Sequence, residues 1–176
     1  MVTSQISLKG ASRIDFTGQL PDFTHYPAFS SDVISLIRKG VGSRVLVVID
    51  VGWGFGKAVP HKVRDHMNLT GSNPLVGPND SCGERFPSVN SVYLSDFLPE
   101  LPAGVLAGLK PGVVPSADDL SLMRSLGADF YSYNLVPTMI VAAHAGFKVL
   151  GVVIPEGTDK AAIANLWTAL TDIVED

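Results

Sequence analysis

From Asn68 to Asn90 the chain runs through three glycines, three prolines and a scatter of Ser, Asn and Asp. Such residues supply positive φ, fixed φ and side-chain bonds to nearby backbone, so they build turns. The stretch opens like a strand at Arg64 and then loses all regularity. A structureless segment of more than about 20 residues is uncommon inside a compact domain and is often functional. Its polar side chains are expected to bond back onto the loop's own backbone and make it rigid. Met67, Leu69, Leu75, Val76, Phe86 and Val89 interrupt it with apolar surface. A loop exposing all of them alone would be adhesive, so some are expected to face a neighbour.

The rest of the chain must supply a core that can hold such a loop. With 176 residues, one domain spanning 1–176 is the expectation. Hydrophobic residues make up 46% and charged residues 17%. That is ample for a core and lean for a surface, so part of the surface is expected to be buried in an oligomer. The net charge of −4 comes with no basic run, which argues against nucleic acid and anionic membrane as partners. Cys82 is the single cysteine, so no internal disulfide can form, and a reducing compartment suits the chain. No apolar run approaches the ~18 residues of a membrane span. Met1 to Gly10 lacks the charged start and apolar block of a signal peptide. The cytoplasm is the expected location.

The order of patterns points to an α/β fold. Residues 2–9 and 12–17 alternate like two short strands, and Ser31-Asp32 can cap a helix ending near Gly40. Arg44 to Ile49 is a continuous β-branched run, which fits a strand covered on both faces. It ends in Asp50-Val51-Gly52-Trp53-Gly54-Phe55-Gly56, and glycines at the carboxyl end of a central strand let backbone approach a ligand. Residues 92–101 are ambiguous. Strands are expected over 104–109, 128–133 and 148–154, and helices over 116–126, 136–144 and 158–174. Such alternation implies a mixed or parallel sheet flanked by helices.

The organising loop also carries a likeness. Asp65-His66-Met67-Asn68-Leu69-Thr70-Gly71, Asn73-Pro74-Leu75-Val76-Gly77-Pro78-Asn79-Asp80 and Arg85-Phe86-Pro87 closely resemble the purine nucleoside phosphorylases of the trimeric, low-molecular-mass class. Leu126-Gly127-Ala128-Asp129, Val136-Pro137, Ile140-Val141-Ala142, His144 and Gly146 continue the likeness in family order. It covers roughly residues 30–174 and is strongest in the loop. The resemblance implies a three-layer phosphorylase-like fold, a mixed central sheet flanked by helices, shortened at the N-terminus. It implies a homo-oligomer, a trimer or a multiple of it, assembled through the 65–90 loop. It implies no cofactor, with phosphate as the possible co-substrate and a purine or nucleoside as the possible ligand.

Family members cleave the bond between purine and ribose with phosphate as nucleophile. They need a cradle for the dianion, polar groups holding the purine, and a lid that excludes water. The family's first glycine-rich phosphate turn has no counterpart before residue 40. Its second phosphate turn aligns with Ile49 to Gly54, where Asp50 replaces an amide and Trp53 a small residue. A carboxylate beside a phosphate is repulsive. The family serine that touches phosphate aligns with Asn134 and the neighbouring methionine with Tyr133. The glutamate that holds the purine aligns near Asp118, which also reads as a first-turn acid behind the N-cap Ser116. No amide stands after Val153-Ile154, where the family has its base-contacting asparagine, and the loop bearing its sugar-binding histidine is expected to be deleted around Gly157-Thr158-Asp159. Phe86 matches the phenylalanine that one subunit lends to its neighbour's sugar pocket, and equally reads as an interface aromatic. His66 is expected to position the loop, His144 to be half-buried and hydrogen-bonded, and His61 to lie at the surface. The four histidines and Cys82 show no zinc-ligand spacing.

Two readings follow. In one, the chain is an oligomeric phosphorylase-like protein that has lost ordinary phosphorolysis and binds a ligand near Asp50, Gly52, Tyr133, Asn134 and Phe86, or serves a structural role. In the other, it is an active nucleoside phosphorylase or nucleoside hydrolase with a rebuilt pocket, and Asp50 or Asp118 is the catalytic base.

Overall fold

The computed structural model describes residues 12–15, 45–56, 58–78 and 83–174. In chain order the elements are β1 (Ser12–Asp15), β2 (Val45–Gly54), β3 (His61–Leu69), β4 (Ala103–Leu109), α1 (Ala117–Ser125), β5 (Phe130–Ser132), α2 (Leu135–His144), β6 (Lys148–Pro155) and α3 (Lys160–Val174). The expected helix after Ser31 and the strand over 2–9 lie outside the described residues.

β2 is the spine. One edge pairs in parallel with β6 from Val45 to Gly52. The other edge pairs first with β1 in parallel and then, at Gly52 to Gly54, with β5 in antiparallel register. β5 runs parallel to β4, and β4 parallel to β3. β3 then meets β6 antiparallel at His61 and Lys62. The pairings β2–β5–β4–β3–β6–β2 therefore close a ring, with β1 attached outside it. The mixed sheet flanked by helices is as expected from the sequence. Closure adds something the sequence did not predict, and it leaves the central strands without free edges.

Side-chain alternation explains the uninterrupted apolar runs. Val48, Val149 and Val153 face a core cluster built with α2, which contributes Leu135, Val136, Met139 and Ile140. Val47, Ile49, Leu150, Val152 and Ile154 face the opposite cluster, where α3 contributes Leu166 and Leu170. Both faces of β2 and β6 are covered, so neither strand needs a polar face. A third cluster joins Trp53, Phe55, Tyr131 and Tyr133 to Met123 of α1. α2 approaches β4 so closely that any side chain at Gly108 would collide with Val136.

Ends are set locally. Ser116 caps α1 by accepting from Asp119 N–H, and Asp119 returns a bond to Ser116 N–H, a reciprocal capping box. α3 follows β6 after a four-residue connection, Glu156 to Asp159, and the Asp159 carboxylate accepts from Ala162 N–H at 2.7 Å.

Residues 70–102, where described, form no helix or strand beyond the single bridge Tyr93–Val149. The expected self-bonding is present. Asn68 donates to Ser72 O and accepts from the Thr70 hydroxyl at 2.6 Å, and Asn73 accepts from Leu75 N–H. Leu75 and Val89 pack on the α2 cluster. Val76 and Phe86 do not: they are 83% and 86% exposed.

Candidate functional site

The carboxyl end of β2, the end of β5 and the start of α2 converge on Asp50. Its side chain points to the α2 side of the sheet, as the alternation from Val48 requires, and it is only 2% exposed. The carboxylate accepts from Asn134 N–H at 3.0 Å, from Asn134 Nδ2 at 2.9 Å and from Val51 N–H at 2.9 Å. Burial raises its pKa above the ordinary 3.8, and the bonds from Asn134, Ser132 and Val51 pull the other way. The Ser132 hydroxyl faces the carboxylate and favours its charge, yet falls short of a well-formed bond to any partner.

Asn134 is the N-cap of α2, but its side chain does not cap the helix. It turns instead to Asp50. The first turn of α2 thus has an internal carboxylate at its positive end, the place where helices collect anions. Gly52 is the other feature of this strand end. The space a side chain would take there is filled by Tyr131 O and a Val153 methyl, so this glycine serves the β2–β5 crossing.

On the opposite face of β2 the aromatic rings close ranks. Trp53 stacks on Tyr131 with centroids 5.1 Å apart and planes at 12°, and it meets Tyr133 edge-on at 5.5 Å. The Trp53 indole N–H donates to the Glu156 carboxylate. Tyr133 donates its hydroxyl to Val113 O at 2.7 Å, and burial pushes its pKa up to about 12. Burial, and then Glu156, raises that of Tyr131.

Of the residues singled out from sequence, the structure brings Asp50, Gly52, Tyr133 and Asn134 to one strand end. Asp118 is exposed in the first turn of α1, as the capping reading expects. Phe86 is solvent-facing with the Arg85 guanidinium 5.8 Å from its ring centre. His66 pairs through Nδ1 with the Tyr93 hydroxyl at 2.7 Å and ties the loop to its second half; burial lowers its pKa. His61 is half-buried, its Nδ1 2.6 Å from Val59 O, rather than at the surface. His144 is fully buried, and its Nδ1 finds no partner among the described residues. The reason is packing: α2 is apolar on every side and buried along its length, so its last residue is buried too. Cys82 lies outside the described residues. Sequence reasoning passed over Ser132 and the Trp53–Glu156 bond. The alternation Tyr131-Ser132-Tyr133 was the available signal, since it puts the hydroxyl on the Asp50 face. Among the described residues no three His, Cys, Asp or Glu side chains gather as a metal site, and no helix is long and apolar enough to cross a membrane.

No family model matches the sequence. Individual proteins do. The chain is 30% identical over 165 residues to purine nucleoside phosphorylase 1 of Bacillus subtilis, covering 83% of this chain and 60% of the relative. It is 29% identical over 184 residues to purine nucleoside phosphorylase 1 of Geobacillus stearothermophilus, covering 94% and 63%. Among solved structures it resembles isoform 2 of purine nucleoside phosphorylase from Schistosoma mansoni in complex with cytosine and ribose-1-phosphate. The TM-score is 0.64 and the identity 27%, over 82% of this chain and 57% of that one. The chain thus spans about three fifths of the length of the curated relatives it matches.

Proposed function

The chain belongs to the purine nucleoside phosphorylase family, and from that premise we propose that it is a phosphorylase-like protein rebuilt around Asp50, no longer capable of ordinary phosphorolysis and assembled with its own copies through the 65–90 loop. The single observation that carries this reading is the Asp50–Asn134 pairing. The family reaction, purine nucleoside plus phosphate to purine base plus pentose 1-phosphate, needs donors that greet an incoming dianion. Here a carboxylate already takes the Asn134 N–H and amide at 3.0 and 2.9 Å. A phosphate entering beside it meets like charge and spent donors. The stacked Trp53 and Tyr131 add bulk behind the same strand end. The exposed Phe86 and Val76 support the oligomer, because a loop holding such side chains outward gains most when a second copy covers them.

Phosphate remains the co-substrate, and a purine or nucleoside the ligand, of the activity this protein is proposed to have lost; ligand binding near Tyr133 and Asn134 outlives catalysis on this reading. A second reading draws on the burial that raises the Asp50 pKa. A carboxyl group so tuned suits a general base, which would activate water in a nucleoside hydrolase.

One assay separates the two. Inosine, guanosine and adenosine are offered at high protein concentration, with and without phosphate, and base release is followed. No release in either condition is expected. Phosphate-dependent turnover that vanishes in Asn134→Ala overturns the first reading. Phosphate-independent release that vanishes in Asp50→Asn establishes the second.

A further inference from the structure

The other end of α2 carries a feature that the site at Asp50 does not use. A cavity of about 390 Å³ lies between residues 83–92 and the last turn of α2, where the chain enters β6. The ten residues of α2 separate it from Asn134, roughly 15 Å at the helical rise. Its volume falls in the lower part of the range for small-molecule pockets, roughly 300–1,000 Å³.

Its walls carry both signs of charge. Lys148 contributes an ammonium, held at Ser91 by bonds to the Ser91 carbonyl and, at 3.4 Å, to its hydroxyl. Ser88 and Ser91 contribute hydroxyls beside it. Glu84 contributes a carboxylate that no side chain engages among the described residues. The last turn of α2 lies on the same wall, at the negative end of the helix dipole, with the Val141, Ala142 and Ala143 carbonyls already accepting from Ala145, Phe147 and Gly146 N–H. Phe147 gives it an apolar floor, and His144, 3% exposed, has an Nδ1 without a partner among the described residues. Buried polar atoms left unpaired are uncommon in folded proteins and often mark functional places.

A lone anion would meet Glu84 and the helix end. A lone cation would meet Lys148. A molecule carrying both charges is opposed by neither. We propose that this cavity binds a small zwitterion of amino-acid size, its ammonium toward Glu84 and the last turn of α2 and its carboxylate toward Lys148 and the two serines. The occupant braces residues 83–92, the segment that carries Phe86, from behind. The proposal stands apart from the reading of Asp50, since the two sites share no residue.

The test is a calorimetric screen of the free amino acids against the whole protein. The best binder is then compared with its decarboxylated amine and its deaminated acid. The expected result is saturable binding of at least one amino acid. Its amine and acid bind at least about tenfold more weakly, as does the amino acid itself to Glu84→Gln and Ser88→Ala, both of which change exposed side chains and leave the core alone. Lys148→Met gives the same loss but also frees Ser91, so it is the supporting variant. Asp50→Asn leaves binding unchanged. Absence of binding up to about 10 mM, equal affinity for amine or acid, or binding indifferent to Glu84→Gln and Ser88→Ala overturns the proposal.

Discussion

The two ends of α2 have settled their polar groups in opposite ways. At the N-terminal end Asp50 takes bonds from Asn134 and Val51 in a space closed to water, with the Ser132 hydroxyl beside it lacking a well-formed bond among the described residues, and the rings of Trp53, Tyr131 and Tyr133 close the other face of the strand. At the C-terminal end the walls stay open: among the described residues Glu84 has no side-chain partner and His144 Nδ1 no hydrogen bond, and the adjoining loop holds Phe86 and Val76 in solvent. A site that recognises a ligand keeps donors and space in reserve until the ligand arrives. By that criterion the Asp50 end holds fewer groups in reserve than the loop and the cavity behind it, which is the contrast the proposed loss of phosphorolysis rests on. Substitutions that load or unload each end test the contrast.

The largest effect is expected where the closed end has no slack. A methyl group added at Gly52 collides with Tyr131 O and Val153. Backbone stands on one side and a fully buried strand on the other, so neither yields cheaply. Gly52→Ala should cost on the order of 1–3 kcal/mol or more, read as a drop in the urea midpoint at unchanged slope. A Gly52→Ala protein as stable as the wild type means that the strand end has room, and the description of a closed site fails.

Next comes the charge inside that end. The folded pKa of Asp50 lies above 3.8, so its ionised form is the one that folding disfavours. The stability it contributes is full below pH 3.8 and is lost as pH climbs through the raised value. Asp50→Asn, which cannot ionise, should therefore gain on the wild type as pH rises from about 3.8 toward neutrality. Asn134→Ala removes the amide donor that opposes this shift and should cost about 1–3 kcal/mol at neutral pH. In the Asp50→Asn background the same change should cost less, because no buried charge is left waiting for the donor. Additive effects, or a wild type that gains stability with pH relative to Asp50→Asn, would show that the carboxylate is solvated and free to meet a ligand.

Much of the fold was legible because it rests on local rules. The run Val45 to Ile49 and the run Val149 to Ile154 are apolar at every position, which only a strand buried on both faces explains. Ser116 as N-cap and the acids behind it announced α1, and the structure adds that Asp119 completes a capping box. Asn68, Thr70, Ser72 and Asn73 announced a loop that bonds to itself. Ring closure was not legible, since β3 and β6 meet over only two residues and leave no pattern behind. Nor was the length of β2. Its glycines argued for a turn after Ile49, yet Gly52 and Gly54 alternate with Trp53 and Phe55, and the strand continues with rings on one face and close backbone on the other. The site itself was half legible. Asp50 and Asn134 could be singled out by alignment, but that the two would consume each other's hydrogen bonds across 84 positions is a fact of packing.

The smallest effect on folding should fall at the open end, and it is the most telling. Phe86 and Val76 are 86% and 83% exposed and take no part in the core. Replacing both by serine should leave the unfolding free energy of an isolated subunit within about 0.5 kcal/mol. If the loop is the glue between copies, the same substitutions should lower the mass measured by sedimentation at micromolar concentration, because two desolvated anchors near the centre of an interface carry a disproportionate share of its energy. The two readouts must part company. A loss of subunit stability would mean that the loop props up its own domain, while an unchanged assembly would leave these side chains without a partner and remove the reason for holding them outward.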